Sequence, residues 1–221
     1  MAVSEHGKYV PALRYRWLTP YYDAIVGLTT RERTFKAALI SQAELESGQK
    51  ILDLACGTGT LSIWAKQASP HSAVRGVDGD PDILTIARRK AHRADTVIEF
   101  DTALSYDLPY PDAHFDRALS SLFFHHLSPH DKVRTAREIH RVLKPGGQLH
   151  VADWGRAGSR AMRGLFVFVQ ILDGFENTRD NVNGRLVGIF EDAGLSNVTE
   201  RQAFGTMFGT MTLYSADKPA T

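Results

Sequence analysis

Apolar residues recur along this chain in two alternating rhythms. Arg31 to Leu45 carries Phe35, Leu39, Ile40 and Ala43 at helical spacing, which predicts an amphipathic helix that caps a sheet. Ile51 to Ala55 is a short apolar run, predicting a buried strand. A glycine loop follows, and Thr60 opens a helix carrying Leu61, Trp64, Ala65 and Ala68. The unit then repeats. Val74 to Asp78 is a second strand, and Asp80-Pro81 supplies an N-cap and first-turn proline for a helix bearing Leu84, Ala87 and Ala91. Val97 to Phe100 and Phe115 to Ser121 are further expected strands. Ser128 to Asp131 resembles a capping box, opening a helix with Val133, Ala136, Ile139 and Leu143 that Pro145-Gly146-Gly147 is expected to end. Gln148 to Asp153 is the fifth strand.

Strands alternating with helices imply right-handed crossovers and a mainly parallel sheet with helices on both faces, an α/β fold. The end of the chain changes character. Leu186, Ile189, Phe190 and Ala193 form a helical face stopped by Gly194. Val198 to Phe204 and Thr210 to Ala216 then flank a Gly205/Gly209 turn region, predicting an antiparallel pair at one edge. A single domain over 1–221 is expected, with a helical cap over 1–48 and a lid insertion over 156–184. Within that insertion Leu165 to Leu172 is apolar around most of a helix, and a closing lid or a homodimer surface would bury it.

With 221 residues the chain is long enough for a full core, and 26 basic against 25 acidic residues leave a formal charge of +1. That balance provides no global field for nucleic acid or anionic membrane, so neither is expected as a partner. The single cysteine, Cys56, excludes an internal disulfide and any four-cysteine zinc site, consistent with the cytoplasm. The longest apolar run falls far short of the roughly 20 residues that a membrane span needs, so no integral membrane contact is expected.

Candidate chemistry begins at the loop after the first strand. Gly57 and Gly59 can take positive φ and let backbone approach a ligand closely. The pair alone is ambiguous, because nicotinamide-binding folds use a related loop with an acid about 20 positions on, much where Asp78 lies. Four strings in fixed order narrow the choice: ILDLACGTGTLS, VRGVDGDPDIL, DLPYPDAHFD and RVLKPGGQLHVAD. Together they resemble the class I S-adenosylmethionine-dependent methyltransferases over about residues 50 to 154. YYDAIV and FEDAGL extend the likeness toward both ends, with a flavour of the quinone-biosynthesis and phospholipid-type small-molecule enzymes.

The resemblance implies a Rossmann-like, seven-stranded sheet, S-adenosyl-L-methionine as cofactor and a small-molecule substrate. It implies that Asp53 faces the cofactor's ammonium, that Gly57 and Gly59 pass under its methionine part, that Ala55 in the same loop is a further cofactor contact, and that Asp78 accepts both ribose hydroxyls. Gly79 would border adenine. Relatives often carry an acid for the adenine amino group where this chain has Leu104, which would instead pack on the ring while the Ser105 backbone bonds its edge. Ser120, at the end of the fourth strand, and Tyr22, whose ring can attract a sulfonium cation, complete the implied contacts. Structural alternatives stand beside these roles: Asp53 and Asp78 as caps, Ser120 as a strand end, Tyr22 as a core aromatic, and Asp80 as a helix N-cap rather than a ligand contact.

His125 and His126 lie close enough to the expected strand edge for one to accept a substrate proton, with a structural histidine as the competing reading. No metal site is expected, since adjacent histidines point apart and no further ligand cluster is apparent. Two functional alternatives to methyl transfer remain: a cofactor-binding regulator without activity, and a nicotinamide-dependent oxidoreductase.

Overall fold

Seven strands build one sheet in the order β3-β2-β1-β4-β5-β7-β6. They are β1 (Lys50–Leu54), β2 (Ala73–Asp78), β3 (Glu99–Thr102), β4 (Phe115–Ser121), β5 (Leu143–Trp154), β6 (Ser196–Gly205) and β7 (Thr210–Asp217). The helices are α1 (Glu32–Gln42), α2 (Thr60–Ala68), α3 (Pro81–Arg93), α4 (Pro129–Val142), α5 (Arg160–Asp173), α6 (Phe175–Val182) and α7 (Leu186–Asp192), with a short 3₁₀ turn at Phe124–His126. The computed structural model describes residues 31–158 and 160–220. Pairing is parallel among β1 to β5, while β7 runs antiparallel to both β5 and β6. The expected mainly parallel seven-stranded α/β architecture with an antiparallel C-terminal edge is what the chain forms.

Adjacent strand residues face opposite sides, and both sides are buried. Leu52, Ala118 and Val151 point into one core with Phe124, Ile139, Phe190 and Tyr214. Their neighbours Ile51, Leu119 and Ala152 point into the other, with Phe35, Leu39, Leu61 and Trp154. α1 and α2 therefore cover one face, and α4 and α7 the other. Caps fix where helices start: Asp80 Oδ1 accepts from Asp82 N at 2.9 Å ahead of Pro81, and Ser128 Oγ accepts from Asp131 N at 3.1 Å.

Three boundaries differ from expectation. Pro145-Gly146-Gly147 does not end α4. The helix stops at Val142, and β5 already pairs at Leu143 with Phe115 before the register shifts to Arg117 with Gln148. Gly146, at φ +76, and Gly147, whose side a Cβ would bring to 2.8 Å from the Lys144 carbonyl, form a bulge inside the strand. β3 begins two residues later than expected because Thr96 turns back to the Ala91 carbonyl, leaving Val97 exposed. The apolar run over 165–172 belongs to the first of two helices, α5 and α6, which break at Gly174 with φ +94.

One buried group makes stability depend on pH. His150 on β5 faces Gln42 across 3.1 Å, and its Nε2 finds no hydrogen-bond partner among the described residues. Burial, reinforced by the Arg117 charge, lowers its pKa to about 4 from 6.5. The unfolded chain therefore binds the extra proton first. Its contribution is complete above pH 6.5 and is lost as pH falls toward 4, a difference of about 3 kcal/mol. Urea unfolding at pH 7 and pH 4.5 is expected to show that loss, and His150→Gln should shrink the difference between the two.

Candidate functional site

The chain leaves β1 toward β2 on one side and reaches β4 on the other, so the sheet switches direction between β1 and β4. Ligands of open α/β sheets gather at the carboxyl ends of strands beside such a switch. Asp53, Asp78, Ser120 and Asp153 all lie at these ends.

The loop after β1 is held from both sides. Cys56 N donates to the Val77 carbonyl at 3.0 Å, and Gly59 N donates back to Cys56 O at 2.9 Å. Ala55, Gly57 and Gly59 all take positive φ, at 54°, 54° and 77°. The two glycines serve different ends. Around Gly57 a Cβ would meet nothing closer than 4.0 Å, which leaves open space against its backbone. At Gly59 it would lie 3.0 Å from Ala87 Cβ and 3.2 Å from the Phe100 ring, so that glycine lets α2 close against α3 and β3.

Asp78, at the end of β2, accepts from Gly57 N at 2.9 Å through Oδ2 and from Asp80 N at 3.0 Å through Oδ1. These bonds aim the carboxylate over the loop and leave acceptor capacity on both oxygens. Burial raises its pKa, with the Asp80 and Gly57 N–H groups pulling the other way. Asp53 is 1% exposed, and its Oδ2 accepts from Ser62 Oγ at 2.5 Å. Burial outweighs that bond and the Lys36 charge, pushing its pKa up to about 6. A buried carboxylate poised in this way favours a cationic partner. The loop, the aimed Asp78 and the cation-seeking Asp53 fit a ligand with a ribose at one end and an ammonium at the other.

The remaining expected residues divide. Gly79 contributes its backbone beside Asp78. Leu104 is half-buried in a one-residue bridge to Asp107. Ser105 is buried and commits its hydroxyl to Thr135 Oγ1 at 2.8 Å. Ser120 is fully buried and donates to the Leu54 carbonyl at 3.1 Å, which ties β4 to β1. Tyr22 lies outside the described residues. Among the described residues, no group of three or more histidine, cysteine or acidic side chains is arranged to hold a metal. No helix among them is long and apolar enough to cross a membrane.

On the other side of the switch, His125 is buried with Nδ1 2.7 Å from Asp153 Oδ1. Asp153 is fully buried and accepts five bonds. Phe123 N (3.0 Å) and Phe124 N (2.7 Å) reach Oδ2, while His125, Trp154 N (2.7 Å) and Asn181 Nδ2 (3.1 Å) reach Oδ1. With so many donors, and the His125 charge foremost among the favourable effects, its pKa falls despite burial. When the ring is neutral, the acceptor on Nδ1 selects the tautomer protonated there, which leaves Nε2 as its basic nitrogen. The His126 ring lies 4.0 Å from that of His125, and burial together with this neighbour holds it well below the usual histidine range.

α6 is locked to this corner. Asn177 Nδ2 donates to the His126 carbonyl at 3.0 Å, and Asn181 bonds both Asp153 and the Trp154 carbonyl. Fully buried Lys132 donates to Asn177 O and faces Asp180 at 3.6 Å. Sequence reasoning passed over Asp153, although it closes the last of the four strings at a strand's carboxyl end. Asn181 and Lys132 carried no signal, since only the packing of α6 gives them partners.

A methyltransferase-domain family profile matches residues 51–147. The demethylmenaquinone methyltransferase of Listeria welshimeri is 30% identical over 208 residues, covering 82% of this chain and 85% of that protein. The chain belongs to the class I S-adenosylmethionine-dependent methyltransferases, whose cofactor is S-adenosylmethionine. The demethylmenaquinone methyltransferase of Thermus thermophilus is 33% identical over 139 residues, and the alignment covers 62% of each chain. Among solved structures, the YcgJ protein of Bacillus subtilis has the same fold, with a TM-score of 0.70 at 18% identity over 83% of this chain and 97% of that one.

Proposed function

We propose that this chain transfers the methyl group of S-adenosylmethionine to a small, hydroxylated aromatic molecule of the quinol type. The observation that carries the cofactor half is Asp78, whose two oxygens are each fixed by one backbone N–H and aimed over the glycine turn. A carboxylate presented in this way suits the adjacent hydroxyls of a ribose. Asp53 then receives the ammonium, and Ala55, Gly57 and Gly59 lie under the methionine part. Gly79, Leu104 and the Ser105 backbone border adenine. Ser120, with its hydroxyl already committed, contributes through its main chain, and Tyr22 covers the sulfonium side.

The acceptor half rests on the names of the relatives and on the His125 corner. Bound cofactor supplies an electrophilic methyl whose bond to sulfur breaks, sulfur keeping the electron pair, as the acceptor atom bonds to carbon. His125 takes the acceptor's hydroxyl proton on Nε2, while Asp153 holds the ring and stabilises the charge that develops. The acceptor's ring carbon beside that oxygen is then the nucleophile; once methylated it sheds its own hydrogen as a proton to water, and His125 returns its proton to the oxygen, which restores the aromatic hydroxyl. Residues 156–184 form the substrate cover of a single domain, and the cap over 1–48 closes the cofactor side. Leu165, Ile171 and Phe175, exposed on α5 and the start of α6, supply apolar surface for an acceptor of this kind. A homodimer would cover the same face and would appear as a doubled mass in sedimentation. A cytoplasmic location agrees with the single cysteine.

The test is transfer of a labelled methyl group to reduced naphthoquinols, with catechols and phosphoethanolamine in parallel. Label on the quinol ring supports the reading, and label on none of the acceptors contradicts it. Asp53 adds a pH signature: a cationic ligand favours its ionised form, so cofactor binding is expected to release a proton and weaken as pH falls through 6. Calorimetry in buffers of different ionisation enthalpy measures that release.

A further inference from the structure

We infer that the groove between α5 and α6 is a second ligand site, an effector site for a small organic acid with one carboxylate on an apolar body. The groove encloses about 570 Å³, within the range of small-molecule sites. α5 contributes Arg163 and Gln170 to its lining, and α6 contributes Phe175, Arg179 and Val182.

The two sides of α6 face different surroundings. Asn177, Asp180 and Asn181 project toward the turn at His125, where they meet the His126 carbonyl, Lys132 and Asp153. Phe175, Arg179 and Val182 follow one another at i, i+4 and i+7, which puts them on the opposite side of the same helix. A ligand in the groove is therefore separated from His125 by the width of a helix, about 10 Å. On α5, Arg163 and Gln170 are seven residues apart and share a face for the same reason. Phe175, 57% exposed, borders both the groove and the apolar surface of the cover.

The side chains of the groove suit an anion. Arg163 Nη1 donates to Gln170 Oε1 at 2.8 Å, and Gln170 Nε2 donates across to Thr178 Oγ1 of α6 at 3.1 Å. Gln170 is 3% exposed and Thr178 fully buried, so a buried, neutral relay holds an exposed cation without neutralising it. Ordering a long side chain costs rotamer entropy, and no ion pair to Arg163 offsets that cost here. Arg179 makes no side-chain hydrogen bond or ion pair among the described residues. Both guanidiniums keep free N–H donors in the planar fork that matches a carboxylate. Glu176 is the acid among the lining side chains, and two arginines against it leave one positive charge, the complement of a monoanion. Phe175 and Val182 supply the wall for the apolar body. A carboxylate bound by both arginines ties α5 to α6 across the break at Gly174, and so steadies the helix that holds Asp153.

The experiment titrates the protein calorimetrically with 1-naphthoate and octanoate, and with naphthalene-1-carboxamide as the uncharged counterpart of the first. Saturable binding of at least one acid is expected, and the tighter of the two shows whether the apolar body is aromatic or aliphatic. The amide should bind at least about 10-fold more weakly than its acid. Arg163→Met and Arg179→Met should each weaken the acid roughly 10-fold or more, while Glu176→Gln should tighten it about two- to fivefold. Arg179 and Glu176 are exposed and unpaired, so their variants should keep the wild-type urea midpoint, which separates lost binding from lost fold. Amide hydrogen exchange along α5 and α6 should slow when the acid is bound. No binding of either acid by the wild type, equal affinity for acid and amide, or arginine variants that bind as the wild type does would each overturn the assignment. Displacement of the acid by S-adenosylhomocysteine would overturn it as well, because the acid would then lie in the cofactor site.

Discussion

Asp78→Asn is expected to weaken S-adenosylhomocysteine binding by at least about 100-fold without unfolding the protein. Two effects combine. The neutral amide gives up two charge-assisted hydrogen bonds to the ribose, each worth roughly 1.5 to 3 kcal/mol. It also misfits its own support, because Gly57 N and Asp80 N each donate to a different oxygen of Asp78. Whichever way the amide turns, its NH₂ meets one of those N–H groups, and the glycine turn loosens. The residue is half-buried at a strand end, so the loss to the fold should stay near 1 kcal/mol. Calorimetry for affinity and urea unfolding for stability separate the two. Unchanged affinity in the Asp78→Asn variant would remove Asp78 from the site.

Asp153→Asn should act in the opposite proportion, striking the fold first. Each carboxylate oxygen accepts at least two donors, three of the five being backbone N–H groups. An amide in either orientation sets its NH₂ against two or more of them in a fully buried place. The expected loss is roughly 3 to 5 kcal/mol, read as a fall in the urea midpoint. In a chain this long that corresponds to a drop in Tm on the order of 10 °C. If the variant is assayed where it still folds, kcat for the quinol acceptor should fall about 100-fold or more, because His125 loses the acceptor that sets its tautomer. A stable variant with full turnover would reduce the His125–Asp153 pair to packing.

The contrast between these residues follows how the sequence can be read. Alternation at Ile51/Leu52 and Ala118/Leu119, caps at Asp80 and Ser128, and glycines after a strand are local signals, and each has the structural meaning its pattern suggests. Pro145-Gly146-Gly147 misleads for a physical reason. Its residues are local breakers, but the pairing of β5 with β4 and β7 makes a bulge there rather than an end. Asp53 and Asp78 stand out as candidates because they sit in an ordered set of strings. Asp153 was half-legible, since it ends a strand at the edge where ligands gather. Lys132, Asn177, Asp180 and Asn181 left no trace. Their meaning depends on α6 folding back onto the turn at His125, a long-range contact that no local pattern encodes.

The separation of structural from ligand-facing roles also needed coordinates. Ser105 and Ser120 both stand where the resemblance expects contacts, yet each spends its hydroxyl on a neighbouring element. Gly59 likewise answers to Ala87 and Phe100 more than to a ligand. The cofactor reading therefore rests on Asp53, Gly57 and Asp78.

Thermal unfolding with S-adenosylmethionine, S-adenosylhomocysteine, NAD and NADP in parallel tests that reading most directly. Ligand at roughly 100 times its dissociation constant adds about 2.7 kcal/mol, a rise of roughly 5 to 10 °C in Tm for a chain of this size. The account expects that rise with the two adenosyl thio-compounds and none with the nicotinamides. A rise with NAD or NADP alone, or none with any ligand, would contradict it.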